Sequence, residues 1–80
     1  MSRQHHRIKC ETQYYQAVEQ GLKKFEIRKN DRNYKIGDIV YLEETVCGVK
    51  TGRVIDQLEI RYIFYGGKFG LSDDYVIFNW

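Results

Sequence analysis

The run Thr12-Gln13-Tyr14-Tyr15-Gln16-Ala17-Val18-Glu19-Gln20-Gly21-Leu22-Lys23-Lys24-Phe25-Glu26-Ile27-Arg28 changes its hydrophobic period half-way, and that change decides the fold. In the first half Tyr14, Tyr15, Val18 and Leu22 recur at steps of three and four with Ala17 beside them, the signature of one amphipathic helix. Thr12 is placed to cap its start and Gly21 to stop it, since glycine accepts the left-handed conformation that ends helices. The period then drops to two. Lys23, Phe25 and Ile27 fall on one face of a strand, and Lys24, Glu26 and Arg28 on the other. No other stretch carries a convincing helical period, so the rest of the fold is expected to be strands.

On the N-terminal side, Arg7-Ile8-Lys9-Cys10 fits an opening strand. On the C-terminal side, Asn30-Asp31-Arg32-Asn33 is turn chemistry, and Ile36-Gly37-Asp38 makes a second turn into a strand over 39–44. Cys47-Gly48 and Thr51-Gly52 bracket a hairpin connection. Residues 54–65 read as one long strand, with Leu58, Ile60, Tyr62 and Phe64 alternating against Gln57, Glu59 and Arg61. A glycine-rich loop, Gly66-Gly67-Lys68-Phe69-Gly70, leads to a last strand over 75–80. One helix among short strands hides its sheet edges best by curling. The pattern predicts an α+β fold, a small β-barrel of about five or six strands with one covering helix. It forms a single domain over 1–80, with 1–5 as a loose N-terminal tail.

Eighty residues hold one core. An apolar fraction of 42% and an aromatic fraction of 15% exclude a disordered chain. No apolar run approaches the ~20 residues that span a bilayer, and the polar opening Met1-Ser2-Arg3-Gln4-His5-His6 is no signal peptide. The expectation is a cytoplasmic monomer with no membrane contact. Two cysteines, Cys10 and Cys47, are expected as free thiols, because small secreted domains carry more. The formal charge is +2, but residues 22–36 alone hold six bases and two acids. One basic block on a nearly neutral chain points to an anionic partner at one place. It does not describe a non-specific duplex DNA binder.

Within that block, Lys24, Glu26 and Arg28 share a strand face that runs into a polar turn. Lys and Arg suit phosphates, and Glu accepts from an exocyclic amino group of a base. The plainer alternative is a solvated face with weak ion pairs. His5 and His6 point to opposite faces, and His6 with Cys10 lacks further ligands, so neither a metal nor a cofactor is expected. The loop over 66–70 lacks phosphate-loop spacing. It reads as a flexible loop, or as one closing over a cleft with Phe69 stacking and Lys68 meeting phosphate. Cys47 has no His beside it to make it a nucleophile. Tyr34 stands apart from the other tyrosines because it lies in the basic turn region.

Gly21, Lys23, Glu26 and Arg28 match the Gly-x-Lys-x-x-Glu-x-Arg motif of ASCH domains. The longer run Phe25-Glu26-Ile27-Arg28-Lys29-Asn30-Asp31-Arg32 resembles an uncharacterised ASCH branch of short bacterial and phage proteins. His6-Arg7-Ile8-Lys9, Gly37-Asp38, Thr51-Gly52-Arg53 and Phe69-Gly70-Leu71 follow that branch's order, so the resemblance covers about residues 6–80. It implies a PUA-like barrel with a cleft beside it that binds RNA or a nucleotide-like ligand. The implied site takes in His6, Lys9, Lys23, Glu26, Arg28, Lys29, Asn30, Asp31 and Arg32, with Lys68 and Phe69 from the loop. Some ASCH proteins are amidohydrolases on acylated cytidine, using a Lys and a Thr of the motif. Lys23 matches that Lys, while Glu26 stands where the Thr would be, so a hydrolase using Lys23 and Glu26 is one alternative. A non-catalytic protein-interaction module is another.

Overall fold

The computed structural model describes residues 2–80. Its elements are β1 (His5–Glu11), α1 (Thr12–Glu19), β2 (Phe25–Lys29), β3 (Ile39–Val46), β4 (Val49–Glu59), β5 (Tyr62–Tyr65) and β6 (Tyr75–Asn79). The six strands and one helix fall within the expected five or six strands and one helix, but the strands form two open three-stranded sheets rather than a closed barrel. The orders are β1-β3-β4 and β2-β6-β5. β1 runs parallel to β3, and every other pairing is antiparallel. Between the sheets lies one core: Ile8 and Cys10 of β1, Val40 and Leu42 of β3, Ile63 of β5, Val76 and Phe78 of β6, closed by Tyr15 and Val18 of α1 and by Tyr34.

The helix follows its sequence only in part. Tyr15 and Val18 are buried against β1 and β3, whereas Tyr14 is 51% exposed and Leu22 is 78% exposed. A helix of eight residues buries a narrow stripe. Thr12 does not cap it: the N-cap is Glu11, and the Thr12 hydroxyl instead donates to the buried Glu44 carboxylate at 2.7 Å. Gly21 stops it as expected, at φ +77°. The Leu22 amide reaches the Ala17 carbonyl at 2.9 Å and the Gly21 amide that of Val18 at 3.0 Å, the paired bonds of a Schellman ending.

Residues 54–65 are not one strand. At Ile60 the chain still bonds to the first sheet's side, its amide meeting the Asp38 carbonyl at 2.9 Å. At Arg61 the amide already reaches Asn79 of β6, at 3.0 Å. The alternation slips at this handover, so Ile60 and Ile63 point inward while Tyr62 is 62% exposed. The hairpin is also simpler than expected. Cys47 and Gly48, at φ 49° and 82°, form its two-residue turn. Thr51 to Arg53 instead make a bulge within β4 opposite Glu44, whose carboxylate accepts from Thr51 Oγ1 at 2.7 Å. Of the tail expected over 1–5, Met1 lies outside the described residues. Gln4 and His5 are tied into the sheet: the Gln4 amide donates to Asp38 at 3.0 Å, and β1 starts at His5. Among the described residues no helix is long and apolar enough to cross a membrane.

Candidate functional site: a cleft between two strand edges

β1 and β2 are edge strands of different sheets, and they face each other across a cleft. β1 pairs on one side only, so alternate residues turn their backbone outward. The carbonyls of Arg7 and Lys9 do so, and each is taken by an arginine from the opposite side: Arg32 donates to Arg7 at 2.9 Å and Arg28 to Lys9 at 2.5 Å. Two side chains therefore hold apart two strands that do not pair.

The inner face of β2 is its charged face. Period-two patterning put Glu26 and Arg28 together, and they are together, but Phe25 and Ile27 point to solvent at 44% and 50% exposure while Glu26 is only 4% exposed. Both Glu26 oxygens are held. Arg28 Nε donates to one at 2.9 Å, and the Lys23 ammonium contacts the other while also donating to the Phe25 carbonyl at 2.6 Å. The alternation had set Lys23 on the opposite face from Glu26. Lys23 lies before β2 begins, where strand alternation does not apply, and folds back onto the carboxylate. A buried carboxylate with cationic donors on each oxygen is the arrangement burial demands, because charge-assisted bonds replace the lost water.

Arg28 divides the cleft. On one side a cavity of about 420 Å³ is walled by Cys10, Tyr14, Lys23, Phe25, Glu26 and Ile27. On the other a wider one of about 550 Å³ is walled by Arg7, Lys9, Lys29, Arg32 and Lys50, with Asp31, Glu43 and Tyr34. Glu43 bridges Arg7 and Lys50 at 3.2 and 3.3 Å. Burial pushes its carboxyl up, but the hydrogen bonds from Lys50 and Arg7 outweigh that and leave it below the usual carboxylate range. The wide cavity is thus strongly cationic. In the narrow one, burial first and the nearby Glu26 charge second raise the Cys10 thiol to about 11, so it stays protonated at neutral pH and is no nucleophile.

Of the residues expected in the site, Lys9, Lys23, Glu26, Arg28, Lys29, Asp31 and Arg32 do line the cleft. His6 does not. It is buried in the core, where Nε2 donates to Asp38 at 2.9 Å and its ring lies 4.7 Å from that of Tyr34. Asn30 is a turn residue, its Oδ1 accepting from the Tyr34 amide at 3.1 Å. Lys68 and Phe69 line neither cavity; their loop folds beside β5, with Phe69 6.0 Å from Phe64. Arg7, Lys50, Tyr14 and Cys10 were missed. Arg7 and Lys9 alternate on β1 and could have been read as a pair, but Lys50 arrives only through the β3–β4 hairpin. Among the described residues no three His, Cys, Asp or Glu side chains gather as a metal site.

A family described as a domain of unknown function, DUF3850, matches residues 5–80. The chain belongs to that family. This DUF3850 domain is also 45% identical over 51 residues to an uncharacterized 12.9 kDa protein in the GpA 3′ region of Escherichia phage P2. The match covers 64% of the domain and 47% of the phage protein, so it spans about half the length of that relative.

Proposed function

We propose that this domain binds single-stranded RNA or a nucleotide-like ligand in the cleft between β1 and β2, with phosphates in the wide cavity and a base in the narrow one. The carrying observation is Glu26: a buried, immobilised carboxylate at the junction of a cationic groove and a half-apolar pocket. Lys23 and Arg28 occupy part of its accepting capacity, and a carboxylate offers about four lone-pair sites, which leaves room for a ligand's amino group. The resemblance to ASCH domains supports the same reading, since the run from Gly21 to Arg32 that carries it builds most of the cleft wall. In a PUA-like barrel the opening between β1 and β2 would be the place where the wall parts for the ligand.

The test is fluorescence anisotropy with short labelled RNAs over a salt series. Affinity is expected to fall with salt at a slope of about −0.7 per phosphate neutralised, and Lys29→Ala or Lys50→Ala to reduce that slope by about one contact. No binding at low salt overturns the reading. Arg28 is a poor probe, because it also holds Glu26 and the Lys9 carbonyl. A hydrolase reading draws on one observation, the contact of the Lys23 ammonium with Glu26 at the pocket wall. In it Glu26 takes a proton from water as the water adds to an acyl carbon, and the nucleoside amine leaves with that proton. Turnover of an acylated nucleoside that Glu26→Gln abolishes would establish it.

A further inference from the structure

The sheet β2-β6-β5 has an outer face as well as the inner one that closes the core. Its register sets Ile27, Ile77 and Phe64 in one row across the three strands, and Phe25, Asn79 and Tyr62 in the next. An antiparallel sheet that meets water normally shows it a polar face. Here, apart from Asn79 and Lys29, the outward positions are aromatic or aliphatic, and Phe25, Ile27 and Tyr62 are 44%, 50% and 62% exposed. Phe69, 90% exposed, extends the patch from the adjoining loop, 6.0 Å from Phe64. An exposed apolar surface of this kind marks a contact site.

The charge around it selects the partner. Among the outward-facing residues of the three strands the only charged one is Lys29, whose ammonium is 3.9 Å from Asp74 at the sheet's end. Lys68 Nζ stands 5.9 Å over the Phe64 ring, and Lys23 Nζ, held on the inner side by Glu26, lies 5.0 Å from the centre of the Phe25 ring. Flat rings edged by ammonium groups, with no carboxylate projecting between them, suit a polyanion with aromatic bases. The face is also continuous with the cleft, because Phe25 and Ile27 belong to both: they wall the narrow cavity and open the outer face.

We infer that the outer face of β2-β6-β5 is a second, stacking platform for single-stranded RNA, on which bases leaving the cleft over β2 lie against Phe25, Tyr62, Phe64 and Phe69. This rests on the proposed cleft binding. Three strands give a platform about 10 Å wide, enough for about two bases. A trinucleotide seated in the cleft leaves the platform empty; a longer strand covers both.

The experiment compares labelled oligouridine RNAs of three and twelve nucleotides on the full chain and on a Tyr62→Ser/Phe69→Ser variant, both positions being exposed enough to spare the core. The double variant is expected to lose about tenfold or more in affinity for the twelve-mer. Its affinity for the three-mer and its salt slope should not change, since no phosphate contact is removed. Photocrosslinking of 4-thiouridine-containing twelve-mer to Tyr62 or Phe69 would give direct support. Unchanged twelve-mer affinity in the variant, with Lys50→Ala still weakening both RNAs, overturns the platform and leaves the cleft reading intact. Failure of both RNAs to bind at low salt overturns the two together. A concentration-dependent dimer that the double variant dissolves would make the face a self-association surface and overturn the platform.

Discussion

Replacing Glu26 by Gln keeps the shape of the side chain and removes its charge. In the folded protein Glu26 accepts from Arg28 Nε at 2.9 Å and from the Lys23 ammonium, and it is only 4% exposed. Charge-assisted bonds contribute roughly 1.5–3 kcal/mol each against about 0.5–1.5 for neutral ones. The amide can keep one acceptor bond and presents its NH₂ to a cation. The expected loss is therefore about 2–3 kcal/mol, at or just below the lower limit of the ~3–5 found for breaking a fully buried pair. It stays there because the Lys23 and Arg28 side chains are 18% and 28% exposed and recover part of their hydration. A domain of this size has a total stability of about 4–12 kcal/mol, so the midpoint temperature should fall by roughly 10–20 °C. Urea unfolding followed by the fluorescence of Trp80, whose ring is 6.4 Å from that of Phe78 in the core, reads the change directly. A loss below about 1 kcal/mol, the level of an exposed pair, would refute the claim that this carboxylate is a buried linchpin of the cleft.

Burial would raise the Asp38 carboxyl, but the hydrogen bonds from His6 and from the amides of Gln4 and Lys35 leave it below its ordinary 3.8. A lowered folded value means its contribution is complete above pH ~4 and is lost as pH falls below that, so Asp38→Asn should flatten the acid limb of a stability–pH curve. An unchanged limb would show that the turn does not depend on the carboxylate. In the native protein Cys47, exposed at the hairpin tip, should react with a thiol reagent at pH 8, while Cys10, buried and raised to about 11, should react only on unfolding. Equal rates would contradict this. At Gly66 a Cβ would sit 1.8 Å from the Ser72 carbonyl oxygen, so Gly66→Ala must displace the 66–74 loop. It should cost roughly 2 kcal/mol or more, and a neutral result in the same urea assay would mean that the loop gives way freely.

The local features of the chain were legible in the sequence because they depend on neighbours along it. The helix over Thr12, its stop at Gly21 and the strand carrying Glu26 all follow from period and capping. Which face of that strand turns inward did not follow. An apolar-in rule selects Phe25 and Ile27, and the fold buries Glu26 instead because the cleft beside it supplies two cations. The break between β4 and β5 was invisible for a related reason. Alternation over 54–65 is continuous in sequence, and only the bonds of Ile60 to Asp38 and of Arg61 to Asn79 reveal that the chain changes sheets there. His6 was misplaced because a histidine's role depends on its partner, and Asp38 lies 32 positions away. The basic cleft was half legible: residues 22–36 announced it, but the wall contributed by Arg7 and Lys50 is assembled by long-range pairing.

β6 is the last strand in chain order and the middle strand of its sheet. β2 and β5 each pair with it and not with one another. While the chain emerges from the ribosome, β2 therefore waits for a partner that is synthesised about fifty residues later, with its backbone hydrogen-bonding groups unpaired meanwhile. The three strands of the first sheet are all out earlier, but its inner face packs on Ile63 of β5 and on Val76 and Phe78 of β6, which are not. Such a chain is expected to fold late and in one step at its end, as non-local pairings demand. Nascent chains of increasing length held on an arrest peptide should show a single pulling force, appearing only when Asn79 has cleared the tunnel; an earlier pulse would show that the first sheet folds alone.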